Sequence, residues 1–165
     1  MNKLKVKEMT LENFKKFGNF ADMVNPVACK LGDEPVEFFR DMIQLSFGQS
    51  NTGSFSVCRV MKRPLKIDNI EFHTFAGEGV LPLDGDVLLC VAPATVNGDV
   101  PDDRIEVFKV PEGTIVTIYP GVWHSAPFAY GKDCVNVMIV LPERIYANDC
   151  SIVDIKEDIG IELEN

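Results

Sequence analysis

An all-β barrel or sandwich is the fold that this sequence predicts. Three observations predict it: short apolar runs recur from Phe38 onward, Gly, Pro, Asn or Asp separates each from the next, and only one stretch has helical spacing. Several short strands divided by turn residues at regular intervals are the pattern of such folds.

Taken in order, the helical stretch comes first, at about 10–17. Thr10 offers an N-cap hydroxyl, Leu11 and Phe14 stand at i and i+3, Lys15 and Lys16 fill the last turn, and Gly18 ends it. So short a helix should pack on the barrel rather than form a layer. Phe55 to Val60 alternates loosely, whereas Val87 to Ala92 is apolar throughout, as a strand buried on both faces would be. Ile105 to Val110, Thr114 to Tyr119 and Val135 to Leu141 follow. Between them lie Asp84-Gly85-Asp86, Asn97-Gly98-Asp99, Pro111-Glu112-Gly113, Pro120-Gly121 and Tyr130-Gly131-Lys132, and Gly98 to Asp103 forms a longer polar loop. The acidic tail from Ser151 to Asn165 should add an edge strand or cover one. One domain over 1–165 is expected, with its motif-bearing core at about 53–150.

Composition narrows the partners. With 46% hydrophobic and 25% charged residues the chain has the ordinary globular mix, which argues against disorder. The formal net charge of −9 repels phosphate backbones and anionic lipid, which argues against nucleic acid and membrane. Cys29, Cys58, Cys90, Cys134 and Cys150 are odd in number and lack Cys-x-x-Cys spacing, a pattern of reduced thiols rather than a disulfide framework. The start alternates Lys with Leu and Val and lacks the apolar core of a signal peptide, so a cytoplasmic protein is expected.

The chain has two histidines, and their surroundings carry the chemistry. In Glu71-Phe72-His73, residues i and i+2 of a strand face the same way, so Glu71 and His73 project together. Glu78 follows where the strand has turned back, and Gly85 marks the next turn. Gly113 to Tyr119 reads as a strand, Pro120-Gly121 as a tight turn, and His124 stands at the opening of the returning strand. This order resembles the two motifs of the cupin family. Glu71, His73, Glu78 and Gly85 match the first, with Glu71 in place of a first histidine. Gly113, Pro120, Gly121 and His124 match the second, with Phe128 where asparagine is common. The resemblance implies a double-stranded β-helix, the cupin jelly-roll barrel, with these side chains converging inside it around a divalent metal. Glu71, His73, Glu78 and His124 are the implied ligands, and imidazole with carboxylate suits manganese, iron, nickel or zinc. No organic cofactor is expected.

A narrower likeness runs over about residues 55–153. Pro64-Leu65 through Glu71-x-His73, Leu81-Pro82-Leu83, Val122-Trp123-His124 with Pro127-Phe128-Ala129, and Asn148-Asp149-Cys150 resemble the ureidoglycolate lyase family, with a fainter match at Phe14, Phe17 and Gly18. Pro120-Gly121 and Ser125 depart from it, Ser125 standing where that family often has a second histidine. The resemblance implies cleavage of ureidoglycolate to glyoxylate and urea during allantoin breakdown, in purine nitrogen catabolism. That reaction needs a base for the carbinol hydroxyl, an acid for the departing urea nitrogen, and a cation for the carboxylate. His73, His124, Glu71 and Glu78 are the implied acid–base residues.

For the carboxylate of a small-molecule substrate, Arg59 is the first candidate, because a guanidinium grips carboxylate with two bonds, and Lys66 the second. Trp123, as a pocket-wall or core residue, and Tyr119, a packing residue whose hydroxyl could reach a ligand, complete the substrate-binding candidates. Two other readings stand beside the lyase: a metal-dependent cupin isomerase or lyase acting on a small sugar acid, and a non-enzymatic ligand-binding cupin. A homodimer is expected, with the apolar segment Val36 to Phe47 as the pairing edge.

Overall fold

The computed structural model describes residues 3–163. In chain order the elements are β1 (Lys3–Glu8), α1 (Leu11–Phe14), β2 (Gly18–Asp22), β3 (Lys30–Leu31), β4 (Phe38–Phe39) and β5 (Gly53–Met61). Then come β6 (Lys66–Phe72), β7 (Glu78–Pro82), β8 (Val87–Ala92), β9 (Glu106–Val110) and β10 (Thr114–Ile118). The last are β11 (Trp123–His124), β12 (Phe128–Ala129), β13 (Cys134–Pro142), α2 (Ile145–Asn148) and β14 (Ser151–Glu162). The larger sheet runs β11-β6-β14-β1-β9-β8-β12, and β11 also pairs with β8, so six of its strands close into a ring. The smaller sheet runs β2-β10-β7-β13-β5. This is the all-β barrel that the sequence predicts.

Strand alternation builds two cores on either side of β8, all six of whose residues are buried. Val87, Leu89 and Val91 join Val80, Val116, Val135 and Phe108 in a core shared by the two sheets. Leu88, Cys90 and Ala92 join Ile67, Ile70, Val107, Ile155 and Ile161 in a second core drawn from the ring strands. All five cysteines are free, in keeping with their odd count.

The helix is shorter than its sequence pattern. Thr10 caps it reciprocally with Asn13, its hydroxyl accepting from the Asn13 amide and its own amide donating to Asn13 Oδ1. Only one turn forms, because the chain must enter β2 at Gly18. That glycine begins a strand rather than ending a helix: a Cβ there would lie 1.8 Å from the Thr117 carbonyl oxygen of β10. Phe14 and Phe17 are buried while Leu11 is exposed, so aromatic packing, not a two-residue helical face, fixes the segment.

Two terminal segments also differ from the expectation. The tail forms a twelve-residue strand between β6 and β1, inside the sheet rather than at its edge. Ile155, Ile159 and Ile161 face inward, and a register shift between Asp154 and Ile159 accommodates the acidic residues. Lys3–Glu8, with its Lys/Leu/Val alternation, is a strand parallel to both β14 and β9. The segment Val36 to Phe47 is not an edge of either sheet. Only Phe38–Phe39 is paired, antiparallel to Lys30–Leu31 in a separate two-stranded ribbon.

Candidate active site

Three short connections bring the motif residues together where the two sheets meet. Glu71, near the end of β6, lies directly opposite His124 of β11. His73 follows β6 by one residue, and its carbonyl accepts from the Gly121 amide over 2.6 Å, which ties the Pro120-Gly121 turn to the first motif. Gly121 has φ +78°, a conformation that glycine adopts without strain. Glu78 opens β7 in the smaller sheet, paired with Ile118. Because β11 alternates, Trp123 faces the ring core, whereas Val122 and His124 face the space between the sheets.

Glu78 Oε2 stands 3.1 Å from His73 Nε2 and 3.1 Å from His124 Nε2, and the two ring centroids are 5.2 Å apart. All three side chains are buried. The opposite ring nitrogens fix the tautomers. His73 Nδ1 is 2.7 Å from the Asp149 carbonyl, and His124 Nδ1 is 3.0 Å from the Val122 carbonyl. A carbonyl only accepts, so each Nδ1 carries the hydrogen, and in a neutral ring each Nε2 presents a lone pair. Two such lone pairs cannot face an ionised carboxylate unaided. A proton on Nε2 or a metal ion must stand between them.

The charges agree with that geometry. Burial alone would raise the Glu78 carboxyl, but the His124 charge and hydrogen bonds from both rings outweigh it and hold Glu78 at about 2. Burial alone would lower His124, yet Glu78, then Glu71 and the Val122 carbonyl, move it up.

The donor set fits a divalent ion. One donor atom from each of His73, Glu78 and His124 lies within 4.8 Å of the others. Two imidazole nitrogens and one carboxylate oxygen are a donor set that would hold a divalent transition metal. Glu71 lies just outside this trio, its Oε1 4.0 Å from His124 Nε2 and its side chain 27% exposed, so it is the acidic group nearest solvent. The Cys150 thiol donates to Glu71 Oε2 over 3.2 Å. Burial first, and the Glu71 carboxylate next, push that thiol up to about 12, so it stays protonated.

The other four sequence candidates sit elsewhere. Arg59 is exposed on the outer side of β5, where its Nε donates to Asn136 Oδ1 over 3.2 Å, while its neighbours Cys58 and Val60 turn inward. Lys66 begins β6, five residues before Glu71, and pairs with Asp158 at 2.9 Å. Trp123 packs on Phe72 at 4.4 Å between centroids and donates from Nε1 to Thr95 Oγ1. Tyr119 is 40% exposed beyond the end of β10. Among the described residues, no lysine or arginine contacts the three clustered side chains.

Sequence reasoning assigned no role to Asp149, Cys150 or Cys58. The first two lie in Asn148-Asp149-Cys150, a run visible as a likeness but without an isolated chemical signal. Cys58 packs against the core shared by the two sheets, and burial first, then the Glu78 carboxylate, raises its thiol pKa against the lowering effect of Arg63.

Comparison with known proteins agrees with the geometry. A family model described as ureidoglycolate lyase matches residues 1–162. A ureidoglycolate lyase of Rhodobacter capsulatus is 28% identical over 128 residues, covering 76% of this chain and 78% of that protein. Among solved structures, a dTDP sugar isomerase from Desulfovibrio desulfuricans G20 aligns over 82% of this chain and 83% of its own, with a TM-score of 0.52 and 14% identity, a likeness of fold. With the cupin-type barrel and the convergent histidines and glutamate in place, the chain belongs to the ureidoglycolate lyase family.

Proposed function

We propose that this site cleaves ureidoglycolate to glyoxylate and urea in allantoin-derived nitrogen use, with His73, Glu78 and His124 holding a divalent ion and Glu71 moving the proton. One observation carries the reading: two Nε2 lone pairs and one carboxylate oxygen converge at 3.1 Å in a buried setting. A divalent ion held there would supply positive charge for the substrate carboxylate and would ease ionisation of the carbinol hydroxyl. Glu71 then accepts the hydroxyl proton, the carbon–nitrogen bond breaks as the oxygen forms the carbonyl of glyoxylate, and the electron pair leaves with the urea nitrogen. Glu71 returns the proton to that nitrogen, so no net proton is consumed. A single carboxylate can serve both steps because it stands beside, not within, the ligand trio. Arg59 and Lys66 have no part in this scheme, since both are paired away from the trio.

The test is turnover by metal-stripped protein reloaded separately with manganese, iron, nickel or zinc, followed as glyoxylate release. At least one ion should restore turnover that the stripped protein lacks. Folded, metal-replete protein that does not exceed the spontaneous rate would overturn the assignment.

We also propose a cytoplasmic homodimer. No helix among the described residues is long and apolar enough to cross a membrane, and five free thiols suit a reducing compartment. Phe55, Val57 and Met61 are exposed along β5. On a chain of net charge −9, the outward row of that strand holds no carboxylate and one cation, Arg59, so two copies meet there with the least repulsion. Val57→Lys should shift a dimer to monomer in sedimentation equilibrium. A monomeric wild type, or a variant that stays dimeric, would exclude this surface.

A further inference from the structure

We infer that the corner Asp149–Cys150, between α2 and β14, is the positioning element that aims both His73 and Glu71; for Glu71 this rests on the acid–base role proposed above. The Asp149 carbonyl accepts from His73 Nδ1 at 2.7 Å. Its carboxylate accepts from the Thr74 amide at 2.7 Å through Oδ1 and from the Phe75 amide at 2.8 Å through Oδ2. Those two amides belong to the loop that joins His73 to Glu78, a stretch outside any strand. The next residue, Cys150, donates its thiol hydrogen to Glu71 Oε2. Two consecutive residues thus reach both His73 and Glu71 from more than seventy residues away in sequence.

The corner is itself held on both sides. The Asp149 amide donates to the Ile145 carbonyl over 2.8 Å, and immediately beyond Cys150 the chain pairs Ser151 with Phe72 and Ile152 with Glu71. Its contacts are therefore a fixed template against which the loop is set. Removing the Asp149 carboxylate leaves two amides without their acceptor and frees the backbone whose carbonyl selects the His73 tautomer. The ring would then no longer present its Nε2 lone pair squarely to Glu78. Outer partners of metal-binding histidines commonly govern affinity in this way. Cys150 acts on the other carboxylate. Holding Oε2 leaves Oε1 as the free oxygen turned towards His124, where a substrate proton would be transferred.

The test combines Zn2+ titration calorimetry on metal-stripped protein with steady-state kinetics on ureidoglycolate. Asp149→Ala should weaken Zn2+ binding about 10–100-fold, and Asp149→Asn, which keeps one amide oxygen as acceptor, should fall between it and wild type. Cys150→Ala should leave Zn2+ affinity within about twofold while lowering kcat about tenfold at nearly constant KM. Cys150→Ser, still a donor, should recover most of that loss, which a packing role would not restore. Either Asp149 variant binding Zn2+ as wild type does, with native near-UV circular dichroism, would overturn the proposal, and the asparagine variant decides it should the alanine variant not fold. So would Cys150→Ser as impaired as Cys150→Ala. If wild type fails to turn over ureidoglycolate, the functional assignment falls while the Zn2+ arm still decides the role of Asp149.

Discussion

His124→Ala is expected to lower ureidoglycolate turnover about a thousandfold or more, within the range lost when a positioned catalytic group is removed. His124 supplies one of three converging donors, and its ring is one of the two that hold Glu78 ionised. Without it the buried carboxylate keeps only His73 as partner, so burial counts for more and its pKa rises. Loss of one imidazole removes one of three donors and weakens the charge on a second. Divalent-metal affinity should therefore fall together with turnover. The fold should survive. His124 is one of two residues in β11, whose backbone ladder to Val91 and Glu71 does not use the side chain. Losing one hydrogen-bonding partner from a buried group costs about 1–3 kcal/mol, and about 2–4 °C of melting temperature per kcal/mol is the scale for a chain of this size. Glu78→Gln tests the same point from the other side, because it keeps the shape and removes the charge. Both variants should melt cooperatively and bind metal weakly. A folded His124→Ala protein with wild-type turnover would remove the trio from the mechanism.

Much of this site was legible because its spacing is local. Glu71 and His73 are two residues apart at the end of β6 and just beyond it, and a Pro-Gly turn announces the return that carries His124. The fully apolar run of β8 likewise declared its two buried faces. What stayed hidden depended on partners far along the chain. β1 pairs in parallel with β14 and β9, and nothing in its six residues reveals strands beginning 148 and 103 positions later. The inward isoleucines of β14 were masked by acidic residues that face outward. Phe55, Val57 and Arg59 share one side of β5, and the loose alternation of that run does not say which side faces solvent. Arg59 was chosen for chemistry and nearness in sequence, and strand parity sends it outward. The Asp149 carbonyl is a backbone group, which no residue type can advertise.

Stability and chemistry should separate most clearly at Phe108. Its ring in β9 is fully buried, 5.2 Å from Phe14 and 5.9 Å from Phe17 between centroids, both edge-on. This cluster seats the short α1 segment on the barrel, since one helical turn has little stability of its own. Phe108→Ala should cost about 3–5 kcal/mol, through lost burial and a cavity that a sheet core cannot collapse to fill. Against a total of about 5–15 kcal/mol for a domain, that is a large share. Thermal unfolding should fall by roughly 6–20 °C. Phe108→Leu, which refills part of the volume, should lose clearly less. The backbone that positions His124 does not depend on this ring: Val91 and Ala92 of β8 still ladder with β11. Well below its melting point, Phe108→Ala should therefore keep kcat and metal affinity near wild type while His124→Ala, which melts later, has lost both. The reverse order, with Phe108→Ala melting like wild type, would mean that the aromatic cluster does not anchor the N-terminal segment.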